Sequence, residues 1–179
     1  EYGISIDYIS GTSAGSMVAS AYAFGVPIPR MEQLVSQIQW NSIAKFSGSK
    51  MGFRTNQPIE QFLEKLVGKN EIIENARIPL SIVAVNVVDG CVEYFDSGDL
   101  ASAVRASSAI PGYFVPVERE GKLYIDGAVI ENIPVTPLKK HAPDIIIAVD
   151  LMHGLERKVP KSVFDVLARS YEIMAENRD

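Results

Sequence analysis

The sequence predicts an α/β fold, a three-layer α/β/α sandwich around a mainly parallel central sheet. Two runs of β-branched residues, Leu80 to Val88 and Asp144 to Asp150, indicate strands that are buried on both faces, as in parallel sheets. Segments with apolar residues at helical spacing separate the strands, and this alternation is typical of α/β domains. The 179 residues contain no internal repeat and no linker, so residues 1–179 are predicted to form a single domain.

Local patterns place the other elements. Small residues from Ala14 to Phe24, after a strand that ends near Ile9, indicate a helix that lies close to the sheet and stops at Gly25. Asp89-Gly90 is a hairpin turn signal. The remaining predicted elements are, in order, a helix from Pro29 to Trp40, an irregular lid or entrance loop at 41–55, a helix capped by Asn56 that ends before Gly68, a strand from Cys91 to Phe95, a helix from Leu100 to Ser107, a strand from Lys122 to Ile125, a helix from Pro134 to Lys140 and a final helix that opens at Ser162.

Composition and charge narrow the function classes. The net charge of −5 argues against a nucleic-acid partner, for which a basic face is expected. The single cysteine, Cys91, excludes an internal disulfide and favours the cytoplasm, and in its strand it is expected to be a small buried side chain. No apolar run approaches the roughly 20 residues of a membrane span. Neither a His/Cys cluster nor an Asp-rich loop indicates a metal site.

The stretch Gly11-Thr12-Ser13-Ala14-Gly15 reads G-x-S-x-G between the first strand and the first helix. This pattern is typical of a nucleophile elbow, in which a sharp turn exposes the serine hydroxyl. Gly11 and Gly15 are expected there because side chains would not fit beside the strained serine backbone. The first helix begins at this point, so the Ala14 N–H is the expected oxyanion donor. Ser13 is therefore the candidate nucleophile.

A serine nucleophile needs a base, and the residues leave two choices open. Ser13, Asp126 and His153 follow the Ser, Asp, His chain order of α/β-hydrolases. Alternatively, Asp126 lies at the end of a strand before Gly127, contacts the serine itself and acts as the base once burial raises its pKa. A plain Asp-Gly turn is the structural alternative for this position. If neither histidine belongs to a triad, His141 and His153 are expected at the surface.

Three further observations are blocks of sequence: Asp7 to Ser16, Ala103 to Gly112 and Tyr124 to Ala128. Taken together, these blocks resemble the patatin-like phospholipase family. Their order and separation fit that family, and the similarity runs from about Asp7 to Asp150. The resemblance implies a patatin-like fold and a Ser-Asp dyad that works without histidine. Carried over to this sequence, Ser13 is the nucleophile and Asp126, followed by Gly127 at a small position of the motif, is the general base.

The activity that this resemblance implies is hydrolysis of fatty acyl esters, of the phospholipase A or lysophospholipase type. It implies no metal and no cofactor. The expected partners are a lipid or fatty acyl ester substrate and, peripherally, a membrane surface, with no nucleic acid. The expected location is the cytoplasm, with peripheral membrane contact. No oligomeric state is indicated.

One feature of the family's pattern has no counterpart in the sequence. Family members carry a loop of the type Gly-Gly-Gly-x-x-Gly upstream of the elbow, whose N–H groups form most of the oxyanion hole, and nothing from Glu1 to Ile6 matches it. We therefore expect a fragment or a naturally shortened form with weakened activity. Two alternatives stay open: a soluble carboxylesterase or thioesterase that uses Ser13, Asp126 and His153, and a catalytically silent lipid-binding domain.

Two further groups of side chains have structural interpretations. Arg105 is expected to hold the loop before Pro111 through hydrogen bonds to carbonyl oxygens. The large apolar side chains in and before the expected lid are predicted to lie in the core rather than along an acyl-chain groove or on a membrane. The basic residues near them are predicted to be solvated rather than bound to anionic lipid. These residues are Trp40, Phe46, Met51 and Phe53, and Lys45, Lys50 and Arg54.

Overall fold

The computed structural model describes residues 3–36, 44–151 and 159–176, so Trp40 and His153 lie outside the described residues. Short 3₁₀ helices occupy Ile73–Asn75 and Gly127–Val129. The described strands are β1 (Ile9–Thr12), β2 (Lys45–Phe46), β3 (Arg54–Thr55), β4 (Leu80–Asn86), β5 (Cys91–Phe95), β6 (Val117–Arg119) and β7 (Lys122–Asp126). The described helices are α1 (Ala14–Ala23), α2 (Ile28–Val35), α3 (Gln57–Val67), α4 (Leu100–Ser107), α5 (Thr136–Lys139) and α6 (Val163–Glu176).

The central sheet is organised around β4. Along one edge of β4 runs β5, antiparallel. The other edge is shared, because β1 pairs in parallel with residues 80–83 and β7 pairs antiparallel with residues 84–86. β6 continues the sheet from β7, also antiparallel. The predicted α/β class is confirmed, with a mixed sheet whose parallel pairing, among the described strands, is that of β1 with β4.

The core lies between the sheet and the layer of helices α1, α3 and α4, which also contact one another. Side chains of β4 alternate between the two faces, and both faces are buried: Ile82 and Ala84 join the helical side chains, while Val83 and Val85 are buried on the opposite side. The β-branched run therefore predicted burial on both faces correctly. The helical part of this core comprises Ala19, Ala23, Ile59, Leu63, Leu100, Ala103, Val104 and Ala106.

Several predicted boundaries are confirmed. α1 ends at Ala23, and Gly25 follows with a φ of 77°, a left-handed conformation that favours glycine. The α4 boundaries are those predicted. α6 begins after Ser162, whose Oγ accepts a hydrogen bond from the Asp165 N–H at 3.1 Å. None of the helices in the described ranges is both long enough and apolar enough to cross a membrane.

The strand predicted from Asp144 to Asp150 is wrong. Residues 144–151 have no regular secondary structure, and the side chains of Ile145, Ile147 and Val149 are 78%, 64% and 74% exposed. The physical reason is pairing: a strand is stabilised by backbone hydrogen bonds to a neighbour, and no strand in the described part of the chain pairs with this segment. β-branched composition alone does not form a strand.

The expected irregular lid also differs from the structure. Residues 44–55 contain an antiparallel hairpin of β2 and β3, and residues 41–43 lie outside the described residues. Phe46, Met51 and Phe53 are exposed, so the prediction that they lie in the core is wrong. The backbone of this hairpin contacts the rest of the protein, since the Arg54 N–H donates to Tyr113 O at 3.0 Å. A role as a lid stays a prediction.

Three smaller expectations are also corrected. Cys91 is exposed rather than buried, because it is the first residue after the β4–β5 turn. Asn56 precedes α3, but its side chain does not cap that helix; its Nδ2 donates instead to Arg105 O at 2.7 Å. Arg105 has a structural role as predicted, but its partner is the Glu60 carboxylate of α3 at 2.5 Å rather than a carbonyl oxygen.

Candidate active site

The topology of the sheet brings the two candidate residues together. β1 and β7 run toward each other along the same edge of β4, and their last residues, Thr12 and Asp126, pair with the adjacent positions Val83 and Ala84. Ser13 directly follows Thr12. As a result, the Ser13 hydroxyl donates a hydrogen bond from Oγ to Asp126 Oδ2 at 2.7 Å.

Ser13 adopts the strained backbone of a nucleophile elbow. Its φ of 53° and ψ of −125° lie in a region that residues with a side chain rarely occupy, at a cost of about 1–3 kcal/mol. Neighbouring groups hold this conformation. The Ser13 N–H donates to Ser107 Oγ at 2.9 Å, and Ser13 O accepts from the Ser16 N–H at 3.0 Å and from Ser16 Oγ at 2.6 Å. This backbone conformation directs the Ser13 hydroxyl toward Asp126.

At two of the three glycines of the motifs the backbone of another segment lies too close for a side chain. At the third glycine there is room for one. A Cβ on Gly11 would lie 2.5 Å from Gly15 O, and a Cβ on Gly127 would lie 2.4 Å from Val83 O. No side chain fits at either position without movement of the backbone. At Gly15, by contrast, a Cβ would meet nothing within 4 Å. The expectation that close packing requires glycine at Gly15 is therefore wrong, because its Cα faces open space at the start of α1.

The Asp126 carboxylate is fully buried and hydrogen-bonded at both oxygens. Oδ2 accepts from Ser13, and Oδ1 accepts from the Ala128 N–H at 3.0 Å. Burial raises the pKa of the Asp126 carboxyl from 3.8 to about 6, although these hydrogen bonds act in the opposite direction. At neutral pH the group is largely ionised and still close to its pKa, which is the condition for an efficient general base.

The end of α4 supports both members of the pair. Ser107, its last residue, accepts the hydrogen bond from Ser13, and two residues later Ala109 O accepts from the Asp126 N–H at 2.9 Å. One short segment therefore fixes the distance between nucleophile and base. Sequence patterns predict no separate role for Ser107. Ser107 lies within the block from Ala103 to Gly112 that contributes to the family resemblance. The local pattern of that block indicates only a helix followed by a turn.

Tyr171 is a second residue that sequence reasoning missed. α6 contacts the 3₁₀ helix that follows Asp126, and the Tyr171 hydroxyl oxygen is buried there. It lies close to the Asp126 carboxylate without the geometry of a hydrogen bond, so the two groups interact electrostatically. Burial and this carboxylate raise the pKa of the Tyr171 hydroxyl far above its usual value of 10, while the phenol lowers the pKa of Asp126. The separation of 45 residues hides this contact from local patterns.

The start of α1, directly after Ser13, is accessible to solvent. Ser13 is half-buried and Ala14 is exposed at the first turn of α1. Within the described ranges, no hydrogen-bond acceptor faces the Ala14 N–H. That N–H can therefore donate to a charged oxygen on a bound substrate, with the positive end of the helix dipole behind it.

Neither histidine is part of the described site. His141 stacks on Tyr8 with ring centroids 3.7 Å apart, and Tyr8 is five residues before Ser13, which corresponds to about 16 Å of extended chain. A cavity of about 280 Å³ lies at this far end of β1, and neither Ser13 nor Asp126 lines it. His153 lies outside the described residues. In the described part of the chain, no group of three or more His, Cys, Asp or Glu side chains is placed to hold a metal ion.

The sequence of this chain is similar to a known protein family and to several known proteins. A family model described as patatin-like phospholipase matches residues 1–139. Lysophospholipase NTE1 of Debaryomyces hansenii is 27% identical over 174 residues, which cover 94% of this chain and 11% of that protein. An uncharacterized NTE family protein of Mycobacterium bovis is 31% identical over 154 residues, 84% of this chain and 42% of that protein. Lysophospholipase NTE1 of Saccharomyces cerevisiae is 29% identical over 157 residues, 84% of this chain and 9% of that protein. The chain therefore spans less than half the length of these relatives.

Proposed function

The chain belongs to the patatin-like phospholipase family, and from this premise we propose that it is a serine hydrolase that cleaves fatty acyl esters of phospholipids or lysophospholipids. The observation that carries the proposal is the 2.7 Å hydrogen bond from Ser13 Oγ to Asp126 Oδ2. The raised pKa of the Asp126 carboxyl supports it, because such a base can take a proton at neutral pH. Two relatives are named lysophospholipases, which makes a lysophospholipid the first substrate to test.

The first chemical step forms an acyl-serine. Ser13 Oγ attacks the carbonyl carbon of the ester while Asp126 Oδ2 takes the hydroxyl proton. The carbonyl oxygen becomes negatively charged, and the Ala14 N–H at the start of α1 stabilises that charge. The bond from the carbonyl carbon to the alcohol oxygen then breaks, and the leaving alcohol takes the proton from Asp126.

The second step releases the fatty acid. A water molecule attacks the acyl carbon while Asp126 takes one of its protons. The bond between the acyl carbon and Ser13 Oγ breaks, and Ser13 Oγ regains its proton from Asp126. Because the Asp126 carboxylate contacts the Ser13 hydroxyl directly, both steps have a base that is not a histidine. The proposed catalytic unit is therefore a dyad and not a triad.

We also propose that the protein is cytoplasmic and contacts a membrane peripherally. Long-chain lipid esters reside in membranes, so an enzyme that takes them from there must contact a lipid surface. The single cysteine fits a reducing compartment.

Hydrolysis of lysophosphatidylcholine by the full gene product tests the proposed function. We expect release of fatty acid by the unchanged protein and by His153→Ala, and no release above background by Ser13→Ala or Asp126→Asn. Near-equal losses in His153→Ala and Ser13→Ala would replace the dyad by the Ser-Asp-His triad. Stable binding of lysophosphatidylcholine without any turnover of this or shorter acyl esters would replace the hydrolase by a silent lipid-binding domain.

A further inference from the structure

Residues 44–55, which we call the basic hairpin, carry three large apolar side chains that are exposed. β2 and β3 pair antiparallel, and the Ser47 N–H donates to Phe53 O at 3.0 Å, which closes the loop between them. Phe46 is 85% exposed, Met51 57% and Phe53 52%. Three large apolar side chains exposed in one short loop form a patch that is unfavourable in water unless another surface covers it.

The charge of the basic hairpin is opposite to that of the whole chain. The hairpin contains three basic residues, Lys45, Lys50 and Arg54, and no acidic residue, whereas the chain has a net charge of −5. The Arg54 guanidinium donates to Ala44 O at 3.4 Å, while Lys45 and Lys50 are exposed. An acidic protein is repelled by an anionic surface, and this hairpin is a place where that repulsion is locally reversed.

The basic hairpin is fixed to a segment that leads to the active site. The Val115 N–H donates to Arg54 O at 2.9 Å, and the hairpin lies so close that a Cβ on Gly52 would be 2.5 Å from Val115 N. Residues 109–115 connect this contact to Ala109, whose carbonyl oxygen accepts from the Asp126 N–H. The hairpin is therefore joined, through residues 109–115, to the segment that supports Asp126.

We propose that the basic hairpin docks on a membrane that contains anionic lipids. Phe46 and Met51 enter the boundary between head groups and acyl chains, and Lys45 and Lys50 bind lipid phosphates. A protein partner fits less well, because lysine is depleted at protein interfaces and a stable interface takes about 20–30 residues a side. The choice of a lipid surface rests on the proposed function, since a lipid ester hydrolase has to reach its substrate there.

Vesicle binding by the chain carrying Ser13→Ala tests the docking surface without any dependence on turnover. The probes are vesicles of phosphatidylcholine mixed with phosphatidylglycerol and vesicles of phosphatidylcholine alone, with binding measured by co-sedimentation. We expect binding to the anionic vesicles at low salt and at least about tenfold weaker binding to the neutral ones. The double variants Phe46→Ser with Met51→Ser, and Lys45→Glu with Lys50→Glu, should each weaken anionic binding at least about tenfold.

The matched control is Val88→Ser, which replaces an apolar residue that is 77% exposed in the β4–β5 turn, away from the hairpin. It should bind vesicles as the unchanged chain does, and all variants should keep the same far-ultraviolet circular dichroism. Equal vesicle binding by the hairpin variants and Val88→Ser would overturn the proposal. A dimer in solution that becomes monomeric only in the hairpin variants would also overturn it, because the surface would then bind a second copy. Either result leaves the hydrolysis test of the dyad unaffected.

Discussion

β4 and residues 144–150 are both rich in isoleucine and valine, yet the first lies at the centre of the sheet and the second lies in solvent. Ile82 and Val83 in β4 are completely buried, whereas Ile145 and Ile147 are 78% and 64% exposed. The difference is in their neighbours. β4 has strands along both edges, and residues 144–150 have no strand partner in the described part of the chain.

This difference also decides where the candidate catalytic pair lies. A buried strand with occupied edges is a rigid template, and β4 uses one edge to align β1 with β7, so that Ser13 and Asp126 meet. An unpaired apolar segment positions nothing. Burial in the sheet, rather than apolar composition, is therefore what allows a strained serine and a buried carboxylate to be held in place.

The largest expected effect follows from changing the carboxylate that β4 aligns. Asp126→Asn should lower ester turnover by about 10⁴-fold or more, as loss of a catalytic group does in other serine hydrolases. The same variant should unfold at a higher urea concentration than the unchanged chain at neutral pH. A pKa of about 6 in the folded chain, against 3.8 for an exposed carboxyl, means that ionised Asp126 lowers stability by up to about 3 kcal/mol.

The sign of this stability effect gives a pH test. Between pH 3.8 and about 6 the folded chain binds a proton that the unfolded chain does not, so the contribution of Asp126 to stability falls as the pH rises through that window. The difference in urea midpoint between Asp126→Asn and the unchanged chain should therefore shrink toward the acid end. A variant less stable than the parent at neutral pH would mean that Asp126 stabilises the fold.

A matched pair of truncations tests the comparison itself. In the 179-residue chain, Ile82→Ala should lower the free energy of unfolding by about 2–5 kcal/mol, because it leaves a cavity in the core. Ile147→Ala should change it by less than about 0.5 kcal/mol, since that side chain already contacts water. Urea denaturation measures both. Equal losses of unfolding free energy would break the comparison, because they would mean that residues 144–150 are packed against the rest of the protein when it is in solution.

A pair of glycine variants tests the close contact between β4 and the turn that follows Asp126. Gly127→Ala places a Cβ 2.4 Å from Val83 O and should cost about 1–3 kcal/mol of stability. Gly15→Ala meets no atom within 4 Å and lies in α1, so the fold should be unchanged or stabilised by up to about 1 kcal/mol. Thermal unfolding measures both. A tolerated alanine at Gly127 would show that the turn can move away from β4.

The smallest expected effect is on the pH profile. Turnover needs an ionised Asp126, so it should fall as the pH decreases through about 6. The Tyr171 phenol lowers the pKa of Asp126, and Tyr171→Phe keeps the ring while removing that phenol. The acid limb of the profile should therefore move to higher pH in Tyr171→Phe. An unmoved limb with unchanged turnover would show that the phenol does not influence the base.

The local features of the fold were predictable from the sequence. The elbow around Ser13, the α4 boundaries and the hairpin turn at Asp89-Gly90 depend on residues that are near one another in the chain, so their patterns report the structure directly. Asp126 stood out because an aspartate precedes a glycine at a strand end, and the resemblance then supplied a role that the turn alone leaves open.

The remaining features depend on contacts between distant parts of the chain. Whether residues 144–150 pair, whether Phe46 finds a core, and where the Tyr171 hydroxyl lies are decided by which segments meet, and periodicity does not contain that information. The same holds for Ser107, which supports Ser13 across 94 positions. Sequence patterns thus predicted what each segment could become, and long-range pairing decided the outcome.

Labelling of the full gene product with a fluorophosphonate probe tests the central claim most directly, because the probe reacts with an activated serine and needs no knowledge of the substrate. The dyad predicts labelling at Ser13 that disappears in Ser13→Ala, is lost in Asp126→Asn and persists in His153→Ala. Labelling that survives Asp126→Asn but is lost in His153→Ala would contradict the dyad, and no labelling of the unchanged protein would contradict an activated Ser13.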